Sequence, residues 1–185
     1  MGPVIYFSGE AKMKITSDRI AITGKPGCGK TTLCKKIAEK ARDKTVGLIT
    51  EEIRKSGKRV GFRLEDLATG ETGLLSHVRD CSGPKVGKYS VCLDQLDAFA
   101  TRAIESGSKE KDLLIIDEIG PMELKSERFV NSVEETLEYD TACLFTVHRS
   151  SKHPLVERIK DEFQLIKLTR KNRDKIFEKI SGSII

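Results

Sequence analysis

The sequence predicts a single α/β domain in which helices are layered on a mainly parallel central sheet, with an antiparallel hairpin section as an insert. From Arg19 onward, short β-prone runs alternate with amphipathic helical stretches, the rhythm of a layered α/β sheet. Leu113-Leu114-Ile115-Ile116 is apolar without alternation, as in a parallel strand covered on both faces. Between about residues 51 and 91, Gly57, Gly61, Gly70 and Gly73 punctuate short alternating runs such as Arg59–Leu64, the pattern of hairpins. The domain is placed at residues 19–185, behind an N-terminal extension, residues 1–18. That extension is weakly patterned, fits a short strand, an arm or a leader, and is assigned no role.

The elements follow in order. Arg19-Ile20-Ala21-Ile22-Thr23 is a short strand, and Gly-rich punctuation runs from it to Gly29. Lys30–Arg42 then carries Leu33, Ile37 and Ala41 at helical spacing. Val46–Thr50 is a second strand, and the hairpin section closes at Tyr89–Cys92. Leu93–Ser106, with Leu96, Ala100, Ala103 and Ile104, is an amphipathic helix ended by Gly107. Leu113–Ile116 is a central strand, Val130, Val133 and Leu137 mark a helix, and Cys143–Val147 is another apolar strand. Leu155–Ile159 is a short helix, Leu165–Leu168 a last strand, and Thr169 caps a terminal helix through Ile180.

Composition narrows the function classes. The chain has 185 residues, 38% apolar and 33% charged, a length and balance suited to one globular core. No apolar run approaches the roughly 20 residues of a bilayer helix, and the N-terminus lacks the basic head and apolar stretch of a secretory signal. The expectation is a cytoplasmic protein without membrane contact, monomeric by default. The five cysteines form no Cys-x-x-Cys pair, so they read as reduced thiols rather than a disulfide framework or a zinc site. Residues 148–185 hold ten Lys/Arg against five Asp/Glu, leaving 23 of each sign elsewhere, so the net charge of +5 is local. Without interleaved aromatics, that excess reads first as solvated helix faces and only second as a nucleic-acid surface.

Gly24-Lys25-Pro26-Gly27-Cys28-Gly29-Lys30-Thr31 fills every fixed position of G-x-x-x-x-G-K-[ST] and sits between a strand and a helix, the context that phosphate-loop motif requires. Glycines let the backbone wrap a phosphate chain with its N–H groups inward, and the helix N-terminus adds partial positive charge. Lys30 would reach the β- and γ-phosphates of a nucleoside triphosphate, and the Thr31 hydroxyl would ligate Mg²⁺. Leu113–Ile116 then delivers Asp117 and Glu118 at a strand's C-terminal end, where open α/β sheets place ligands. Asp117 would order the metal's waters, and Glu118, aimed differently, would act as general base toward the attacking water.

Other side chains admit two readings. Thr146, His148 and Arg149 end the Cys143–Val147 strand and either sense a γ-phosphate or open a solvated loop. Glu51, Glu52 and Arg54 either line the cleft or form a surface ion-pair cluster. Cys28 has no accompanying Cys/His arrangement in the sequence and is read as packing rather than as a nucleophile.

Several segments together resemble the nucleoside-triphosphatase family first characterised in thermophiles, the THEP family, which includes the vertebrate cancer-related nucleoside triphosphatase. They are Ile22–Leu33, Thr50-Glu51-Glu52-Ile53-Arg54, Gly57, Arg59, Gly61-Phe62, Val86–Val91, Ile115–Leu124 and Asn172-Arg173. The resemblance implies a P-loop three-layer fold. It also implies slow, Mg²⁺-dependent hydrolysis of ATP, GTP and other nucleoside triphosphates to diphosphate and phosphate, with little base selectivity. Nucleotide contacts would then fall at Gly24, Lys25, Pro26, Gly27, Cys28, Gly29, Lys30, Thr31 and Thr32. A second stretch would be Leu113, Leu114, Ile115, Ile116, Asp117, Glu118, Ile119 and Gly120. Thr169, Asn172 and Arg173 fall where related folds often hold the base. Two alternatives are a nucleotide or small-molecule kinase, with residues 51–91 binding the acceptor, and a nucleotide-dependent module engaging nucleic acid through residues 148–185.

Overall fold

The computed structural model describes residues 14–105 and 113–184. Its elements are β1 (Arg19–Gly24), α1 (Lys30–Ala41), β2 (Thr45–Lys55), β3 (Lys58–Asp66), β4 (Thr72–His77), β5 (Lys85–Val86) and β6 (Tyr89–Val91). Next come α2 (Leu93–Gln95), a π-helical turn (Leu96–Ala100) and α3 (Thr101–Glu105), then β7 (Leu113–Ile119), α4 (Glu127–Thr136), β8 (Ala142–Val147), α5 (Pro154–Glu162), β9 (Gln164–Leu168) and α6 (Arg173–Ile184). The helix-ending role read for Gly107 lies outside the described residues.

Among the described residues the nine strands join one sheet in the order β5-β6-β4-β3-β2-β7-β8-β1-β9. β2, β7, β8, β1 and β9 run parallel, and β3, β4, β6 and β5 extend the sheet antiparallel from the outer side of β2. The hairpin section is therefore a lateral continuation of the central sheet rather than a body let into it. The joint is β2, which is longer than the Val46–Thr50 run suggested. Thr45–Ile49 pairs with β7, while Leu48–Lys55 pairs with β3, so the strand serves two ladders.

Alternate residues of the parallel strands feed two cores. Ile20, Ile22, Leu113, Ile115 and Leu144 pack with Leu33, Ile37, Ile176 and Ile180 of α1 and α6. Ala21, Leu114, Ile116 and Phe145 pack on the opposite face with Leu96, Ile104, Phe129, Val133, Val156 and Ile159. This two-faced burial is why Leu113–Ile116 shows no alternation in sequence, and it makes the domain three layers deep. Ser126 caps α4 by accepting the Phe129 N–H at 2.9 Å, and Pro154 at the first turn of α5 needs no N–H partner.

Two sequence readings are corrected here. The cysteines are not all free, because Cys81 and Cys92 are joined in a disulfide with Cα atoms 5.0 Å apart. The β5–β6 hairpin brings the two together across 11 residues, a spacing with no signature of its own. Cys28, Cys34 and Cys143 are free and buried. Thr169 does not cap the terminal helix directly. Its hydroxyl accepts the Asn172 N–H at 3.3 Å, closing a turn one residue before α6 begins.

Of the segment read as an extension, Lys14–Asp18 is held to the domain. The Lys14 carbonyl and the Thr16 N–H bond to the Gln164 side chain at 2.8 and 2.9 Å, and Asp18 accepts the Cys143 N–H at 2.9 Å. Residues 1–13 lie outside the described residues. Among the described residues, no helix is long and apolar enough to cross a membrane.

Candidate active site

Because β1, β7 and β8 run parallel, their C-terminal ends open onto one edge of the sheet, and a cleft of about 440 Å³ lies there. The turn from β1 into α1 forms one wall. Gly29, just before α1, has φ +106°, a conformation that costs a residue with a Cβ. Gly24 is fixed by close approach instead: a Cβ there would stand 2.6 Å from the Leu168 carbonyl oxygen. Gly24, Pro26, Gly27, Lys30 and Thr31 border the cleft. Cys28 is buried in the core beneath the turn, which agrees with its reading as packing. Lys25 is exposed, and Gly29 and Thr32 line a small separate hollow with Arg173 and Phe177.

β7 supplies the opposite wall. Leu113–Ile116 and Ile119 are buried in the sheet, so their side chains carry Asp117 and Glu118 to the cleft without bordering it themselves. Between Ile116 and Ile119 the β7–β8 register slips, and the Asp117–Glu118 peptide is cis. The two adjacent carboxylates have different surroundings. Asp117 is 2% exposed, and its Oδ1 accepts the Thr146 hydroxyl at 2.6 Å, while its Oδ2 has no hydrogen-bond partner among the described residues. Burial pushes the Asp117 carboxyl up to about 6, against the pull of the Thr146 and Thr31 hydroxyls and of Lys30. Glu118 is half-buried, and its Oε2 stands 3.6 Å from Lys30 Nζ.

Thr146 thus acts on Asp117 from the strand beside β1, and His148 and Arg149 both line the cleft. Arg149 is exposed at the mouth, while the buried Nδ1 of His148 has no partner among the described residues. Glu52 also borders the cleft. Glu51 does not: it is tied to Lys35 and, at 2.5 Å, to Arg63. Arg54 pairs with Glu52 at 2.6 Å. Glu52 therefore borders the cleft and also takes part in an ion-pair cluster, whereas Glu51 belongs to a second cluster and neither it nor Arg54 lines the cleft. A larger open groove of about 630 Å³ runs beside α1, β2 and β3, but no phosphate-loop residue and neither Asp117 nor Glu118 reaches it.

The residue that sequence reasoning passed over is Glu123. It sits in a short 3₁₀ turn after β7 that folds back under the strand's end, with the Leu124 N–H bonded to the Gly120 carbonyl at 3.0 Å. Glu123 is 5% exposed and accepts the Gly120 N–H at 3.2 Å. Burial pushes its carboxyl up to about 8, with the charges of Glu118 and Asp117 adding to the effect and backbone hydrogen bonds opposing it. The unfolded chain releases that proton above about pH 4.5, whereas the folded chain holds it until about 8. Its contribution to stability is therefore complete below the lower value and lost as pH rises through the upper one. Denaturant unfolding at pH 5 and pH 8.5 should show wild type losing roughly 2–4 kcal/mol more over that interval than Glu123→Gln. Equal losses would refute the buried-acid assignment.

The donor set suits one magnesium ion. Asp117 presents a buried oxygen without a partner, and the Thr31 hydroxyl lies beside the same carboxylate. Among the described residues no cluster of three His, Cys, Asp or Glu forms a metal cage. Mg²⁺ needs none, since it is commonly held by one or two carboxylates together with substrate phosphates and water.

The profile of the family described as "NTPase" matches residues 19–181. The nucleoside-triphosphatase THEP1 of Methanosarcina acetivorans is 48% identical over 171 residues, covering 90% of this chain and 97% of that protein. That of Methanocaldococcus jannaschii is 46% identical over 170 residues, covering 90% and 97%. Among solved structures, THEP1 from Aquifex aeolicus superposes with a TM-score of 0.80 at 36% identity, covering 89% of this chain and 98% of that one. A human cancer-related nucleoside triphosphatase superposes at 0.73 with 31% identity, covering 89% and 95%.

Proposed function

This chain belongs to the NTPase family and has its P-loop fold, and from that premise we propose that it is a Mg²⁺-dependent nucleoside triphosphatase of the cytoplasm. It hydrolyses ATP, GTP and other nucleoside triphosphates to diphosphate and phosphate, slowly and with little regard to the base. The observation that carries this reading is the meeting of Lys30, Thr31, Asp117 and Glu118 in one cleft, from the start of α1 and the end of β7, far apart in sequence.

The backbone N–H groups of Gly24–Thr31 and the N-terminus of α1 bind the phosphate chain, and Lys30 places its charge against the terminal phosphates. Thr31 and Asp117 hold the magnesium ion, which supplies Lewis-acid neutralisation of phosphate charge when bound. Asp117 is kept in place for this by Thr146. Before substrate arrives, Glu118 is paired with Lys30. As the phosphates draw Lys30 away, the Glu118 carboxylate is freed to orient a water molecule and take its proton.

Two further observations support slow and unselective turnover. Of the arginines bordering the cleft, Arg59 is occupied by Glu52 and Tyr89 and Arg149 stands exposed, so neither is locked over a transferring phosphoryl group. Asn172, in the turn where the base is expected, spends its side chain on the Thr169 N–H at 2.7 Å and the Lys167 carbonyl at 3.0 Å. Little of that side chain remains to read a base edge. The reading is tested by phosphate release from ATP, GTP, CTP and UTP with Mg²⁺ and with a chelator. Release from all four that stops on chelation is expected, and absence of release, or release indifferent to the chelator, would overturn it.

A further inference from the structure

The Cys81–Cys92 bridge closes the outermost hairpin of the sheet, β5–β6, joining the chain before it to the chain after it. Such a bridge is unusual in a reducing compartment, where thiol pools keep cysteines reduced and the disulfides that do form are mostly transient or redox-sensing. Both of its cysteines are partly exposed, whereas Cys28, Cys34 and Cys143 are free but buried. Among the described residues, the bridge is therefore the thiol chemistry that a dissolved thiol can reach.

The chain on either side of the loop is anchored without the bridge. Upstream, the N–H groups of Arg79 and Asp80 donate to His77 Nδ1 at 3.3 and 3.2 Å. Downstream, β6 pairs with β4 through Ser90 and Val91, and the Cys92 N–H donates to the Leu75 carbonyl at 2.9 Å. Between these anchors, Cys81–Lys88 has little hold. β5 is two residues long and pairs only with β6, and one further backbone bond, from the Val91 N–H to the Pro84 carbonyl at 2.9 Å, ties the loop down among the described residues. Ser82, Pro84, Lys85, Gly87 and Lys88 are exposed, while Val86 packs inward against the core and borders the nucleotide cleft.

We propose that the Cys81–Cys92 bridge is a reversible thiol switch that fixes the Cys81–Lys88 loop, and with it Val86, against the nucleotide cleft when oxidised and releases both when reduced. This rests on the nucleotide site and the cytoplasmic placement proposed above. With the bridge closed, that part of the wall is ordered before nucleotide arrives. With the bridge open, the loop must be ordered at the expense of binding, and affinity falls.

The reductant is a thiol of the glutathione class. Its thiolate attacks the Cys81 sulfur, whose neighbours Asp80 and Ser82 are exposed, and the sulfur–sulfur bond breaks so that Cys92 leaves as a thiolate and takes up a proton. A second thiolate then attacks the glutathione sulfur of the mixed disulfide, and Cys81 leaves and is protonated in turn. Two electrons have passed from two glutathione thiols to the bridge, and glutathione disulfide is the product. Glutathione disulfide runs the same steps backwards and closes the loop again.

The test exposes the oxidised full chain to glutathione in about a hundredfold excess over its disulfide. Thiols counted in denaturant should rise from the three free cysteines to all five. An unchanged count would make the bridge a permanent staple, and five thiols at the outset would mean that it does not form; either result overturns the switch. On reduction, amide exchange in Cys81–Lys88 and at Val91 should speed up at least about 10-fold, while β1, β7 and β8 keep their protection. Affinity for the Mg²⁺ complex of an ATP analogue with nitrogen in the β–γ bridge should fall at least about 3-fold, and glutathione disulfide should restore both readings. Unchanged exchange, or faster exchange with unchanged or tighter affinity, would overturn the proposal. An analogue that binds neither form would overturn the nucleotide site and the switch together, whereas binding without phosphate release from ATP in either redox state would count against the hydrolase reading alone. The Cys81→Ser, Cys92→Ser double variant should match the reduced chain and ignore glutathione, and a response to glutathione in that variant would refute the assignment to this bridge. Should the double variant fail to fold, the reduced and oxidised wild-type chains still decide the question.

Discussion

Lys30→Ala protein is expected to release phosphate from Mg-ATP at least ~10²-fold more slowly than wild type, the scale of losing one preorganised donor to developing charge. Lys30 opens α1, its side chain is only 11% exposed, and its ammonium group lies 3.6 Å from Glu118. No other lysine lines the cleft among the described residues, so none stands ready to replace it. The loss should fall on turnover more than on stability, because Glu118 is 28% exposed and can turn to water once its partner is gone. Lys30→Arg refines the test. It keeps the charge but substitutes a planar fork for a compact ammonium, so it should recover only part of the rate. Phosphate release by Lys30→Ala near the wild-type rate, with an unaltered melting curve, would remove Lys30 from the machinery.

What could be read in advance depended on whether a residue's environment is set locally. The β1 turn and α1 were legible because the motif, a short apolar strand and a helical stripe at Leu33, Ile37 and Ala41 all agree within one stretch of chain. β7 was legible for a related reason, since burial on both faces writes an uninterrupted apolar run that ends where the carboxylates begin. The pairing of β2 with both β7 and β3 was not legible, because a strand's sequence shows which residues are apolar but not which neighbour lies on each edge. Glu123 was hidden more deeply. A glutamate near Lys125 and Glu127 reads as surface, and only the fold-back of the turn onto Gly120 buries it. The π-helical turn at Leu96–Ala100 and the Cys81–Cys92 bridge likewise depend on contacts between elements rather than on local pattern.

Glu118→Gln is expected to keep Mg-nucleotide binding while slowing single-turnover hydrolysis by about 10²–10³-fold, within the range for loss of a positioned general base. The amide matches the carboxylate in shape but cannot take a proton at neutral pH. The substitution also ends the ion pair with Lys30, and that pair is partly solvent-exposed, so the change in stability should stay below about 1 kcal/mol. Asp117→Asn supplies the contrast. Asp117 is buried and held by Thr146, and its unpartnered Oδ2 is the proposed metal ligand, so its loss should raise the Mg²⁺ concentration needed for half-maximal rate. Two adjacent carboxylates thus predict two different failures, one in the chemical step with binding retained and one in metal affinity. If Glu118→Gln instead loses Mg-nucleotide binding as Asp117→Asn does, the two side chains share the metal and a different group must activate the water. Wild-type single-turnover rates in Glu118→Gln would lead to that second conclusion directly, with His148 the next candidate because its buried Nδ1 already lacks a partner among the described residues.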